Sequence, residues 1–333
     1  MKTIAIVATG GTIAGTGKKG KTAAYHAGEI DIDSIIETIP EINEVAHIKE
    51  YQLMNIDSNE MTHEKWLILK NNIEEILSDD TIDGAVVTHG TDTLDETAYF
   101  LTLTLNTPKP VVLTGAMRPA TATSADGPFN LYQAICLACH GESYNRGVLA
   151  LFSNTIYSGR DIEKVNNFKI DAFDQRSLGC LGYMQDQEVY FYTQTSKIHT
   201  VKSRFNKRID SIKSVAIAFY YSGADAKILY DLANNHEGIV IAGSGSGNYS
   251  QAWLKAIEEL SEKGIIFVCP DGKNSWYWDS PKNKDYRYET FVSSEMINYI
   301  DKHYKTIADR RGRAITGLSM GGHGALWNAI RHK

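Results

Sequence analysis

The chain has 333 residues, and its 34 basic and 40 acidic side chains leave a net charge of −6. This near balance provides no basic surface for nucleic acid or for an anionic membrane, so we predict neither partner. No apolar run reaches the ~20 residues of a membrane span, and Met1 leads into an apolar run without signal-peptide features, which predicts a cytoplasmic protein.

Short apolar runs alternate with helical patterns through most of the chain. Helical spacing of apolar residues occurs at 66–77 and 93–105. Because strands of a parallel sheet are buried on both faces, they read as continuous apolar runs, and this alternation predicts an α/β fold with parallel sheets flanked by helices. Strands are predicted at residues 3–8, 84–88, 111–114, 148–152, 215–219, 239–242 and 265–268.

A polar and basic stretch with little periodicity, residues 193–213, predicts a domain boundary. We expect a first α/β domain at 1–193 and a linker at 194–211. The start of a smaller second domain is expected at 212–268, followed by a different tail at 269–333. Three of the five tryptophans lie in that tail, which sets its composition apart.

Four loops that follow predicted strands are rich in Gly, Thr, Asp and Asn: TGGTIAG, HGTDT, GAMRP and GSGSGN. Ligands of open parallel sheets bind beyond the carboxyl ends of the strands, so we expect these loops at one rim. Thr12 and Thr91, on glycine-flanked turns, are candidate nucleophiles, and Asp92 can orient a base or bind a cation. His89 is expected to point away from the rim. A lysine would serve as the base, but the residues alone do not select one.

Five motifs in order resemble the bacterial-type L-asparaginase/glutaminase family over about residues 1–268. They are TGGTIAG at 9–15, THGTDTLDET at 88–97, GAMRP at 115–119, SADG at 124–127 and DAF at 171–173. The resemblance implies a two-domain α/β hydrolase that converts L-asparagine to L-aspartate and ammonia with a threonine nucleophile. It further implies no metal or organic cofactor, L-glutamine as a secondary substrate, and a homo-oligomer, dimer or tetramer, with active sites between subunits.

The same resemblance assigns catalytic roles residue by residue. It places the nucleophile on Thr12, assisted by Tyr25 from the loop AAYHAG. It makes Thr91 the second threonine, with Asp92 beside it and Lys164 from RDIEKVN as its lysine partner.

Substrate binding is implied for a second set of residues. Ser58 would bind the α-carboxylate, Asp92 the α-ammonium, and the backbone of Ala116 would contribute. Asn59 stands where the family often has the longer glutamine, which leaves its contact open. Asn248, in GSGSGN, matches a position that completes the site of a neighbouring subunit.

The segment GTGKKGKT at 15–22 also fits the phosphate-binding pattern G-x-x-x-x-G-K-[ST]. A P-loop leaves a strand directly and opens a helix whose N-terminus holds the phosphates. Here the predicted strand ends at residue 8, and Gly28 interrupts the segment that follows. We therefore favour a flexible lid loop with a basic tip over a nucleotide site.

Residues from about 265 to 333 resemble a truncated esterase-D-like α/β-hydrolase fragment. GLSMGG at 317–322 presents Ser319 on a G-x-S-x-G elbow, after a predicted helix at 291–307 and a strand at 313–317. An elbow serine needs an acid and a histidine later in the chain, and His323 on the elbow helix is not the usual base. This chimeric C-terminus replaces the family's usual last elements, and we expect it to weaken subunit assembly. A serine esterase acting through Ser319 and an inactive chimeric product remain the alternatives, and natural fusion and gene misassembly both stay open.

Overall fold

The structure, a computed structural model, describes residues 1–175, 179–195, 197–245 and 247–262, together with the single positions 296, 298 and 302. The chain divides into two compact units, Met1–Ile212 and Lys213–Lys333. The strand predicted at 265–268, the tail elements at 291–307 and 313–317, and the elbow with Ser319 and His323 lie outside the described residues.

Twelve strands of the first unit are found among the described residues. They are β1 (Lys2–Gly10), β2 (Thr16–Gly17), β3 (Tyr25–His26), β4 (Ala46–Ile56), β5 (Gly84–Thr88), β6 (Val111–Thr114), β7 (Val148–Phe152), β8 (Thr155–Ser158), β9 (Glu163–Lys164), β10 (Phe173–Asp174), β11 (Gly182–Gln185) and β12 (Glu188–Phe191). The α-helices of this unit are α1 (Ile32–Ile36), α2 (Ile42–Val45), α3 (His63–Ser78), α4 (Leu94–Thr104) and α5 (Gly127–Cys139). Short 3-10 helices cover Thr12–Ala14, Ser58–Glu60, Gly141–Ser143 and Thr200–Lys202.

Eight of these strands form one sheet in the order β12-β11-β8-β7-β6-β5-β1-β4. Five neighbouring strands, β4, β1, β5, β6 and β7, pair in parallel. Strands β8, β11 and β12 extend the sheet in antiparallel pairings. The predicted α/β class with a mostly parallel sheet is confirmed. The predicted helices at 66–77 and 93–105 are confirmed as α3 and α4.

Strand β1 shows why the central strands are apolar on both faces. Ile4 and Ile6 pack into the hydrophobic core on the side of α1, α2 and α5. Ala5 and Val7 pack into the second core, on the side of α3 and α4. All four are fully buried, and such two-sided burial is typical of a parallel sheet covered by helices.

The order in which successive strands join the sheet reverses at β1. The chain passes from β1 to β4 on one side, and then crosses to β5 on the other side. A crevice forms at such a switch point, beyond the carboxyl ends of the strands. The loops that begin at Gly11 and Gly90 approach closely there, since a Cβ on Gly11 would lie 2.4 Å from the Gly90 nitrogen. Gly11 has φ = 82°, so glycine serves this turn for both reasons.

The second unit contains β13 (Val215–Phe219), α6 (Lys227–Ala233), β14 (Gly238–Ala242) and α7 (Gln251–Glu262) in its described part. The two strands pair in parallel. A small core gathers around Trp253, which is fully buried and donates its indole N–H to the carbonyl of Ala224 at 3.0 Å.

Candidate active site

A cavity of about 410 Å³ opens at the switch point, in the first unit. Six residues assigned from the sequence line it: Thr12, Tyr25, Ser58, Thr91, Asp92 and Lys164. The remaining lining residues are Gly11, Ala27, Asp57, Gly90, Met117 and Asn167. Segments that are far apart in the chain therefore meet in one pocket, as expected for loops at the carboxyl edge of a parallel sheet.

Thr12 and Tyr25 form the first hydroxyl pair of the cavity. Thr12 begins the 3-10 helix directly after β1 and is 7 % exposed. Tyr25 lies on β3, and its Oη is 2.7 Å from Thr12 Oγ1. Either oxygen can donate in this contact, so the pair can pass a proton in both directions.

Thr91 belongs to a second group, which also contains Lys164 and Asp92. Lys164 Nζ donates to Thr91 Oγ1 at 2.8 Å and to Asp92 Oδ1 at 2.5 Å. The Lys164 side chain is 11 % exposed, whereas Asp92 is 56 % exposed. The lysine is thus held between a hydroxyl group and a carboxylate at the wall of the cavity.

Lys164 lies on β9, a strand of only two residues that pairs with β10. Its backbone N–H also donates to Asp95 Oδ2 at 3.2 Å, and Asp95 is in the first turn of α4. The helix that follows the Thr91 turn therefore also holds the strand that carries Lys164.

The charge on Asp92 is stabilised within this group. The hydrogen bond from Lys164 lowers the pKa of Asp92, partial burial opposes the shift, and the positive charge of Lys164 and a hydrogen bond from Asn59 assist it. Asp92 is therefore an anion at neutral pH, with an exposed carboxylate suited to a cationic substrate group.

Ser58 and Asn59 occupy the 3-10 helix that follows β4. Ser58 is 3 % exposed and lines the cavity, and its carbonyl accepts a hydrogen bond from Thr93 Oγ1 at 2.8 Å. Asn59 does not line the cavity; its Nδ2 donates to Asp57 Oδ1 at 2.8 Å and to Asp92 Oδ2 at 3.4 Å. The shorter amide thus contacts the carboxylates of the site.

The loop after β6 contributes through Met117. Ala116 is fully buried, whereas its neighbour Met117 lines the cavity. Asp126 holds this loop, because its two carboxylate oxygens accept the N–H groups of Met117 and Arg118 at 2.9 Å each. Burial raises the pKa of Asp126 against the opposing effect of these hydrogen bonds. Asp126 belongs to the SADG motif, but the sequence predicts no role for it.

His89 lies beneath the Thr91 turn and is fully buried. Its Nδ1 is 2.7 Å from the Gly90 carbonyl, so Nδ1–H donates there, and Nε2 accepts from Thr97 Oγ1 at 3.0 Å. Trp66 Nε1 donates to the same Thr97 oxygen at 2.8 Å. Burial lowers the pKa of His89 to about 4. The neutral ring faces the core, which confirms that His89 points away from the rim.

Strand β2 lies in the segment that fits the phosphate-binding pattern, and it pairs with β3 in an antiparallel hairpin. After Thr22 the chain enters β3, and α1 begins only at Ile32. A helix N-terminus is therefore missing where a P-loop needs one, which agrees with the rejection of a nucleotide site.

Asn248 lies in the second unit, where its backbone forms a β-bridge with Ser244. In the described part of the chain, no group of three His, Cys, Asp or Glu side chains could hold a metal ion. Nor is any helix within the described ranges both long and apolar enough to cross a membrane.

Comparison with known families gives two matches. The model described as "Asparaginase, N-terminal" matches residues 3–197. An esterase model matches residues 233–333, a match that begins upstream of the tail boundary expected near residue 265.

Individual relatives agree with the first match. The chain is 40 % identical to a probable periplasmic L-asparaginase of Haemophilus influenzae over 297 residues, 89 % of this chain and 84 % of that one. It is 38 % identical to L-asparaginase 2 of Bacillus subtilis, over 89 % of this chain and 79 % of the other. The crystal structure of a probable cytoplasmic L-asparaginase from Campylobacter jejuni superposes with a TM-score of 0.76 at 43 % identity, covering 81 % of this chain and 83 % of that one.

Proposed function

The chain belongs to the asparaginase family, and we propose that it hydrolyses L-asparagine to L-aspartate and ammonia with Thr12 as the nucleophile. One observation carries this proposal: two threonine hydroxyls, each paired with its own proton-handling side chain, line one cavity. Amide hydrolysis through a covalent intermediate needs a nucleophile in its first half and an activated water in its second.

In the first half, Thr12 Oγ1 adds to the carbon of the substrate side-chain amide. The Thr12 proton passes through Tyr25 Oη, 2.7 Å away, to the amide nitrogen. The carbon–nitrogen bond then breaks, ammonia leaves, and an aspartyl ester remains on Thr12.

In the second half, water attacks this ester. Lys164 first releases one ammonium proton to solvent, so that its neutral Nζ can accept the proton of Thr91. Thr91 in turn takes a proton from the attacking water. The ester bond breaks, and Thr12 Oγ1 recovers a proton from the new carboxyl group through Tyr25 Oη, so that L-aspartate is released as a carboxylate.

The polar residues around these hydroxyl groups orient the substrate. Asp92, an exposed anion, pairs with the α-ammonium group. Ser58 binds the α-carboxylate, and Asn59 contributes through its hydrogen bond to Asp92. The loop containing Ala116 contributes its backbone, and Met117 lines the cavity beside it. L-Glutamine, longer by one methylene, is the secondary substrate.

The test measures ammonia released from L-asparagine by the full chain and by two variants. We expect Thr12→Ala to abolish turnover, and Thr91→Val to slow the second half so that the aspartyl ester accumulates. Mass spectrometry of the peptide that contains Thr12 detects this ester. Full activity in Thr12→Ala, or an ester on another residue, would refute the assignment.

We further propose the organisation expected from the sequence. Residues 1–193 form the catalytic domain, 194–211 the linker, 212–268 a partial second domain and 269–333 a chimeric tail. The protein is a cytoplasmic homotetramer in which Asn248 completes a neighbour's site, and the tail weakens that assembly. Sedimentation tests the last point, because a stable tetramer at nanomolar concentration would contradict it.

Carboxylester hydrolysis by Ser319 is the second candidate, and the esterase match at 233–333 is the observation that favours it. Turnover of p-nitrophenyl acetate that disappears in Ser319→Ala but persists in Thr12→Ala would establish it. Absence of both activities, with aggregation on expression, would instead identify an inactive chimera.

A further inference from the structure

Two backbone amides of the segment that begins with β2 donate to the same residue of another loop, Thr121. The backbone N–H of Gly17 donates to Thr121 Oγ1 at 3.0 Å, and that of Gly20 donates to the Thr121 carbonyl at 2.9 Å. Both glycines belong to the segment that fits the phosphate-binding pattern. The amides that would cradle a phosphate in a P-loop are therefore occupied by a threonine.

Gly17 transmits this contact to the catalytic pair. It lies directly opposite Tyr25 in the hairpin register, and a Cβ on Gly17 would be 3.0 Å from Tyr25 Cβ. Tyr25 Oη in turn lies 2.7 Å from Thr12 Oγ1. Holding Gly17 therefore holds the strand that brings Tyr25 to the nucleophile.

The loop that carries Thr121 is itself anchored. At its start, Asp126 accepts the N–H groups of Met117 and Arg118 at 2.9 Å each. Next to Thr121, the N–H of Ala120 donates to the Gly15 carbonyl at 3.1 Å. Thr121 thus belongs to a fixed support, against which the hairpin can rest.

We propose that Thr121 is a positioning residue, a latch whose hydroxyl holds the hairpin closed with Tyr25 on Thr12. The catalytic part of this inference rests on the function proposed above. Thr121→Val removes the acceptor for the Gly17 N–H and keeps the side-chain shape and the main-chain carbonyl. Loss of one such hydrogen bond shifts the open–closed equilibrium about two- to tenfold.

The rate of trypsin cleavage measures how often the hairpin opens. Trypsin cuts after lysine, and Lys18, Lys19 and Lys21 are exposed at the hairpin tip. Cleavage through local opening follows the population of the open state. We therefore expect Thr121→Val to be cleaved after these lysines about two- to tenfold faster than wild type. Its kcat for L-asparagine should fall by at most the same factor, with KM nearly unchanged, because the substrate-orienting residues lie on other loops.

Two variants give the experiment its controls. Thr121→Ser keeps the hydroxyl and should restore both cleavage rate and kcat, whereas Ser124→Ala removes an exposed hydroxyl from the same loop and should change neither. Unchanged cleavage in Thr121→Val, or a Thr121→Ser variant as defective as valine, overturns the latch. A Thr12→Ala variant that remains active refutes the proposed function instead, and the trypsin result on Thr121 then still decides the latch.

Discussion

Replacement of the buried His89 by leucine should lower stability and leave catalysis in place. Leucine removes the donor to the Gly90 carbonyl and the acceptor for the Thr97 hydroxyl, both in a fully buried site. Each buried polar group left without its partner costs about 1–3 kcal/mol. We therefore expect His89→Leu to lower the free energy of unfolding at pH 7 by about 2–6 kcal/mol.

The same substitution should change the pH dependence of stability in a defined direction. Burial lowers the pKa of His89 to about 4, from an ordinary value of 6.5. Between these values the unfolded chain binds the proton and the folded chain does not, so the contribution of His89 is full above pH 6.5 and is lost as the pH falls through 4. The loss by pH 4 amounts to about 3 kcal/mol. Leucine cannot titrate, so the stability gap between wild type and variant should narrow by about that amount.

Denaturant unfolding of both proteins, at a series of pH values from 4 to 7.5, measures this gap. Ammonia release measured in parallel should show a kcat within a few-fold of wild type and an acid limb of the pH profile in the same position. A gap that stays constant with pH would refute the buried neutral histidine. Disappearance of the acid limb in His89→Leu would show that His89 is a catalytic base and refute its structural role.

Three further substitutions test the site. Lys164→Met should lower kcat by about 10²–10⁴-fold because the base is lost, and Lys164→Arg should not restore it, since arginine stays charged; recovery with arginine would contradict the base. Asp92→Asn should raise KM for L-asparagine about tenfold or more through loss of a charged contact, and it should discriminate less between L-asparagine and succinamate, which lacks the α-ammonium; unchanged discrimination would disprove that pairing. Asp126→Ala should lower the free energy of unfolding by about 2–3 kcal/mol, because two backbone N–H groups lose their acceptor. Asp126→Asn keeps one acceptor and should lower it by about half as much. Thermal denaturation measures both losses.

The central strands were predictable because burial on both faces leaves an unbroken apolar run. β5, β6, β7 and β13 have the predicted bounds, and β1 and β14 extend the predicted runs by one or two residues. β4 was missed because it lies at the sheet edge, where exposed and half-buried residues interrupt the apolar pattern. The antiparallel extension by β8, β11 and β12 was missed too, since its direction depends on turns rather than on apolar content.

The site was predictable to a different extent. The glycine-flanked threonines stand out because they follow apolar strands. Lys164 could not be chosen from the residues alone, since a two-residue strand and one contact to Asp95 bring it to Thr91 from 73 positions away. Only the family resemblance identified it. Asp57 and Met117 also line the cavity. Met117 lies in the loop after a predicted strand, which was an available signal, whereas Asp57 follows the missed strand β4 and its only signal was its place beside Ser58.

The two threonines obtain their partners from parts of the chain with different mechanical freedom. Lys164 is held by the first turn of α4 and by the pairing of β9 with β10, whereas Tyr25 lies on a hairpin whose glycine amides donate to Thr121. If the proposed latch holds, the pair of Lys164 and Thr91 is fixed by the fold, whereas the pair of Tyr25 and Thr12 depends on the hairpin being closed. Mutations in the hairpin can therefore change the rate of the first half of the reaction, while the rate of the second half and the affinity for the substrate stay constant. The rates of the two halves of the reaction can therefore change nearly independently during evolution, although both halves use one pocket.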